Sequence, residues 1–305
     1  LIVGLILIAL GYNEGFYVED PAIRGIFSIF TEVGGEMAYV VLLALLLFAV
    51  DWKLGKALFT QFMINSFLNN ILKDIYKDPR PKWNIVDGEP IEESYGFPSG
   101  HSQNAMGFWG YLLVWKKNTE PKNTPNLILF AISGFFLIVL PISRLIMGVH
   151  DLDDVVGGTV IGLVILVVFL LIFPYLEPLK QKPIGLRIVI GALPVILAWL
   201  IVVLAVREAA EGVGQACGLL LAAAIGFPLE EKYIGYDPLR YSRGQRVIAG
   251  IIGLLITFIF YFGLGALFGL FPEELGWILR FIRYFLIGII LLLVAPKVIQ
   301  KAIKS

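Results

Sequence analysis

Nine apolar runs, at about 35–50, 54–76, 99–115, 126–146, 154–175, 184–206, 212–228, 246–270 and 276–296, limit what this chain can fold into. A helix rises ~1.5 Å per residue and the hydrocarbon core of a bilayer is ~30 Å thick, so ~20 apolar residues cross it. Inside lipid each span must satisfy its own backbone groups, which makes these runs helices. Leu1 to Leu10 is apolar but too short to cross alone. It reads as the end of a truncated first span, or as a signal-peptide remnant, although no small-residue cleavage site follows it in Gly11-Tyr12-Asn13-Glu14. With that stub the expected spans number ten. Hydrophobic residues at 58%, charged residues at 16% and a mean hydropathy of +0.83 agree with an all-α, polytopic membrane helix bundle.

Between the stub and the first full span, Ile23, Ile26, Phe27 and Phe30 recur at helical spacing among Glu19, Asp20, Arg24 and Glu32. That pattern predicts a short helix lying in the membrane interface. The loops then set an orientation, because lysine and arginine accumulate on the cytoplasmic side of short connections. Lys53 and Lys56, Lys116, Lys117 and Lys122, Lys180, Lys182 and Arg187, Lys232, Arg240, Arg243 and Arg246, and Lys297, Lys301 and Lys304 fall on one side of the alternation. Glu14, Glu19, Asp20, Asp87, Glu89, Glu92, Glu93, Glu208, Glu211, Glu273 and Glu274 fall on the other. Both ends of the chain are therefore expected in the cytoplasm. The formal net charge is zero, which removes the case for nucleic-acid binding. Cys217 is the single cysteine and lies in an apolar run, so an intrachain disulfide is excluded.

Pro183 and the basic stretch from Glu177 to Arg187 mark the expected division, 1–183 and 184–305. Gly158 and Gly162 in the first part, and Gly214 and Gly218 in the second, have the spacing that lets helices pack closely.

Three polar clusters sit at helix ends on the outward side. The first is Lys73-Asp74-Ile75-Tyr76-Lys77-Asp78-Pro79-Arg80-Pro81. Lys73 and Arg80 are close to two helical turns apart and can address one point, Arg80 with a planar fork and Lys73 with a compact charge. The same charges would also serve as a basic membrane edge whose side chains reach the headgroups. The second, Gly96-Phe97-Pro98-Ser99-Gly100-His101-Ser102, opens a helix whose free amides form an anion site, with Ser99 as cap and His101 beside the anion as a proton donor. Taken alone it reads equally as an ordinary cap with an interfacial histidine. The third runs from Ser143-Arg144 to His150-Asp151-Leu152-Asp153-Asp154. On a helix His150 and Asp154 share a face, so the carboxylate can accept a hydrogen bond from one ring nitrogen and leave the other unprotonated as a nucleophile or base.

Together the clusters resemble the signature of the type 2 phosphatidic acid phosphatase superfamily: K-x6-R-P, then P-S-G-H, then S-R-x5-H-x3-D, in order and at the family's spacing across roughly residues 35 to 175. The resemblance implies a phosphatase core, which the span count makes six helices followed by about four additional C-terminal transmembrane helices. It implies that His150 attacks phosphorus, Asp154 orients it, and His101 protonates the leaving oxygen. Lys73, Arg80, Ser99, Gly100 and Arg144 are then expected to hold the phosphoryl oxygens, with no metal and no cofactor. A site at helix ends on the outer face suits an amphiphile, either a lipid monophosphate or a polyprenyl diphosphate, with the bilayer itself as the partner. Three alternatives stay open: a small soluble phosphoester as substrate, transfer of the phosphoryl group to an alcohol, and a C-terminal unit for transport or docking. Trp83, Tyr95 and Phe97 could line a tail or sugar pocket, or simply be interfacial aromatics.

Overall fold

A computed structural model describes residues 1–13, 17–86, 89–115, 127–206 and 209–304. Glu14, Asp87, Lys116, Lys117, Lys122 and Glu208, which entered the charge reading, lie outside the described residues. Twelve α-helices account for most of what is described: α1 Ile2–Ala9, α2 Pro21–Val33, α3 Glu36–Leu45, α4 Trp52–Tyr76, α5 Gly100–Val114, α6 Leu127–Ile146, α7 Leu152–Ile172, α8 Ile184–Ala205, α9 Ala210–Tyr233, α10 Arg243–Phe268, α11 Gly276–Ile289 and α12 Ala295–Lys304. π-turns at Leu46–Val50 and Ile290–Val294 extend α3 and join α11 to α12. Each of the nine apolar runs lies on a helix. A two-stranded antiparallel pair, β1 Ile85–Val86 with β2 Glu89–Pro90, interrupts the loop after α4 and was not foreseen.

Among the described residues, six helical segments are long and apolar enough to cross a membrane, or seven if α2 and the bent continuation Glu36–Val50 count as one span. The number differs from the expected ten for a physical reason. The run at 54–76 carries Gln61, Asn65, Asn69, Asn70 and Lys73, and the run at 99–115 yields a helix of only 15 residues. The expected interfacial helix is α2, started by Asp20, whose carboxylate accepts from Ala22 N at 2.8 Å and Ile23 N at 3.3 Å, with Pro21 at the first position.

The chain forms two compact units, divided otherwise than at Pro183: Leu1–Tyr39 with Ile71–Leu171, and Val40–Asn70 with Ile172–Ser305. In the first, α5 packs along α6 and α2 lies on α6, with Phe30 edge-on to Phe135 at 5.6 Å. Gly158 and Gly162 of α7 face α5. A Cβ on either would come within 2.5 Å of a backbone oxygen, of Ser99 and Gln103 respectively, so only glycine permits this approach. In the second, α9 packs between α8 and α11, and Gly214 and Gly218 face the backbone of α11 near Phe281. Glu230, 2% exposed, ties that unit together. It accepts from Trp52 Nε1 at 2.7 Å and Tyr236 N at 2.6 Å, while the Tyr236 hydroxyl donates to the Phe48 carbonyl at 2.6 Å.

Candidate active site

The first unit gathers the three clusters. The turn after α6 contains Gly148, whose φ of +71° is a left-handed conformation that favours glycine and on which a Cβ would clash with Trp83 and Tyr17 at 2.7 Å. This turn delivers His150 just before α7, buried at 1% exposure. His150 Nδ1 lies 2.9 Å from Asp154 Oδ2, an oxygen that also accepts from Asp151 N at 3.1 Å. Arg80 Nη1 lies 3.0 Å from His150 Nε2. A guanidinium can only donate, so Nε2 presents its lone pair to Arg80 and the ring proton resides on Nδ1, given to Asp154. Burial first, and then the positive charges of Arg80, Arg144 and Lys73, hold the His150 imidazole well below its ordinary value, so it is neutral near pH 7.

Arg80 is fixed from several directions. Nε donates to the Ser94 carbonyl at 2.7 Å, Nη1 to the Val149 carbonyl at 2.7 Å, and Nη2 to Ser94 Oγ at 2.9 Å and Glu92 Oε2 at 2.7 Å. Arg144, 1% exposed, pairs with the other oxygen of Glu92. The Glu92 carboxylate therefore bridges two of the expected phosphate ligands. Burial alone would raise its carboxyl, but Arg144 and Arg80 outweigh it and bring it down to about 2. Asn84, 4% exposed, clamps the Glu92 backbone on both sides: its Nδ2 donates to Glu92 O at 2.8 Å and its Oδ1 accepts from Glu92 N at 3.1 Å.

The remaining expected residues surround this pair. Ser99 is fully buried, caps α5 through Ser102 N at 3.5 Å, and donates its own backbone N–H to the Asp154 carbonyl at 3.0 Å. That bond ties the start of α5, and with it Gly100, to the start of α7. His101, one residue further, hydrogen-bonds to the Thr31 backbone of α2 and lies within electrostatic reach of Arg144, Glu92, Arg80 and His150. A Cβ at Gly34, the residue that follows α2, would come within 2.8 Å of its ring. Lys73 is buried and donates to the carbonyls of Tyr95 and, at 3.3 Å, Gly96, holding the loop before Pro98. All eight residues named from the sequence thus lie in one unit. Glu92 and Asn84 were missed. The signal for Glu92 was an acidic doublet in a loop between two arginine-bearing motifs, read only as outward-face charge.

Beside the site is a mostly apolar cavity of about 490 Å³ lined by Leu72, Tyr76, Phe97, Asp153, Val156 and Gly157 among others. Phe97 stands edge-on to Tyr76 at 4.9 Å, whereas Trp83 stacks on Tyr17 at 4.9 Å. Among the aromatics considered for a pocket, Phe97 is the one that lines this cavity.

Two family models match the chain. One described as PAP2 superfamily covers residues 54–178, and one described as PAP2 superfamily phosphatase, transmembrane extension, covers 214–303. The chain is similar to mouse sphingosine-1-phosphate phosphatase 1, 26% identical over 266 residues, which is 79% of this chain and 59% of the relative's own length. It is similar to phosphatidylglycerophosphatase B of Bacillus subtilis, 27% identical over 174 residues, 54% of this chain and 80% of that protein. A crystal structure of a transmembrane PAP2 type phosphatidylglycerolphosphate phosphatase from Bacillus subtilis is 27% identical, covers 54% of this chain and 82% of that one, and superposes with a TM-score of 0.41.

Proposed function

The chain belongs to the PAP2 superfamily, and from that premise we propose that it is a membrane phosphatase that dephosphorylates a lipid phosphate through a phosphohistidine on His150. One observation carries the reading: a buried, neutral histidine whose Nδ1 is committed to Asp154 and whose Nε2 lone pair meets Arg80. In the first step Nε2 attacks phosphorus as the bond from phosphorus to the leaving oxygen breaks, and His101, made an imidazolium by a proton taken up together with the phosphoryl anion, gives that oxygen its proton. In the second, water attacks the phosphohistidine, passes its proton to His101, and orthophosphate leaves with His150 restored. Arg80 exchanges Nε2 for a phosphoryl oxygen when substrate arrives. With Arg144 and the amides at the start of α5 it meets charge that grows toward the transition state. Lys73 contributes through the field of its ammonium while it holds the loop.

For the substrate, the names of the relatives favour a lipid phosphomonoester, as in sphingosine 1-phosphate or phosphatidylglycerophosphate. The cavity at Phe97 suits its tail. The loop charges support a site on the extracytoplasmic face of the membrane, with the ends of the chain in the cytoplasm. Purified protein is expected to release orthophosphate from at least one of sphingosine 1-phosphate, phosphatidic acid, phosphatidylglycerophosphate and an isoprenoid diphosphate, with a chelator present. His150→Ala should lower that rate by at least ~10³-fold, the scale on which an attacking group counts. Full activity in His150→Ala would sink the mechanism, and turnover of water-soluble phosphoesters alone would sink the lipid substrate.

A further inference from the structure

The carboxylate of Glu92 bridges Arg80 and Arg144, the cations expected to bind the phosphoryl group, and one of them simultaneously covers the nucleophile. We infer that Glu92 is an internal competitor of the substrate anion, which holds the two arginines in the resting enzyme and must swing away before a phosphoryl group can enter. The inference rests on the reading of this site as phosphoryl-binding.

Three observations support it. A carboxylate and a phosphoryl group offer the same geometry to a pair of guanidinium forks, so the two cannot hold both arginines at once. Arg144 is 1% exposed, and a buried cation without a counter-ion is strongly unfavourable, so an empty site needs an internal anion. The means of release is present as well. The Glu92 side chain is 30% exposed while Asn84 clamps its backbone, which lets the carboxylate rotate out without moving the loop.

The consequence concerns what the site excludes. Each incoming anion binds only the fraction of molecules with Glu92 swung out, so every apparent affinity is weakened by one common factor. A dianionic phosphomonoester, which also reaches the histidines, still binds. A bulk membrane phosphodiester has a single negative charge and no terminal phosphoryl group, and the same factor keeps it out despite its abundance. Glu92 thereby protects the site from the headgroups that surround it.

The test compares the wild-type chain with Glu92→Gln and with Glu92→Asp, which is too short to bridge both arginines. Orthophosphate binding is measured by calorimetry and by its effect on thermal stability. Inhibition by phosphatidylglycerol in mixed micelles is measured against a lipid phosphomonoester. Both variants are expected to bind orthophosphate at least about 10-fold more tightly, as for an open form near a tenth of the population. They should become sensitive to phosphatidylglycerol by a similar factor. Without ligand they should melt below the wild type, and orthophosphate should close that gap. If Glu92 merely orients the arginines, both variants will bind orthophosphate no better or worse, and that result overturns the proposal. Tighter orthophosphate binding in a chain that hydrolyses none of the lipid phosphates would instead uphold the competitor and refute the enzyme reading.

Discussion

Asp154 decides which nitrogen of His150 carries the lone pair, because its Oδ2 accepts a hydrogen bond from Nδ1–H at 2.9 Å and Arg80 can only donate to the other nitrogen. Asp154→Asn removes that instruction: its amide can donate to Nδ1 and leave the proton on Nε2, where attack is blocked. The expected outcome in steady-state assays is a kcat lowered ~10³- to 10⁴-fold, the scale seen when a catalytic histidine loses its tautomer, with KM changing far less. A KM effect without a kcat effect would mean that Asp154 shapes binding only. This pair was legible in the sequence because its four-residue spacing is a property of one helical turn. Glu92 was not legible, since its partners Arg80 and Arg144 lie 12 and 52 residues away and meet it only through the fold of the loop after α4. The resemblance named which cations are expected to bind phosphate, but it could not say what occupies them when phosphate is absent.

At the scale of elements, the proposed catalytic groups stand on α5, on α7 and in the turn just before α7, and their separation is set by how closely those helices approach. Gly158 faces the Ser99 carbonyl so tightly that Gly158→Ala must push the start of α5 away from α7. The expected overpacking is ~1–3 kcal/mol of stability. The larger effect should be on turnover, about 100-fold, because displacements near 1 Å of positioned groups act on that scale. Gly134→Ala on α6, where an added Cβ meets nothing within 4 Å, is the control and should leave both melting temperature and rate near wild type. Equal behaviour of the two variants would show that the α5–α7 approach does not position the site. The spacing of Gly158 and Gly162 announced a close helix contact. It could not say that the surface approached was the backbone of the P-S-G-H segment, because the pattern marks one partner only.

At the scale of the whole molecule, orientation and division were read from charge and from Pro183. The orientation is open to a direct check because the single native cysteine, Cys217, is 1% exposed and should label poorly. Glu93→Cys, in the loop that carries Glu92, is expected to react with a membrane-impermeant maleimide on intact cells. Lys182→Cys should react only after permeabilisation. The reverse pattern would put the site on the cytoplasmic face.

The division is the sharper case, since a proline and a basic loop mark where the chain changes span but say nothing of which spans pack together. Val40–Asn70 belongs with Ile172–Ser305. Within that unit Trp52 Nε1 donates to the buried Glu230, Lys56 stands 3.8 Å from the same carboxylate, the Phe48 carbonyl accepts from the Tyr236 hydroxyl, and Asn70 Nδ2 donates to the Gly212 carbonyl at 3.3 Å. A fragment ending at Pro183 removes Glu230, Tyr236 and Gly212 together. Lipid can cover the apolar faces of α3 and α4 that this exposes, so lost burial is not the main penalty there. The Trp52 indole N–H, the Phe48 carbonyl and the Lys56 ammonium then lose their partners at the ends of these helices, and a polar group left unpaired where it stays buried costs ~1–3 kcal/mol. The 1–183 fragment is therefore expected to express poorly and to elute as aggregate on size exclusion in detergent, with no phosphate release. Co-expression with 184–305 should recover a monodisperse complex. A fragment that is monodisperse and active by itself would show that the Glu230 contacts are dispensable and that the division at Pro183 is the functional one.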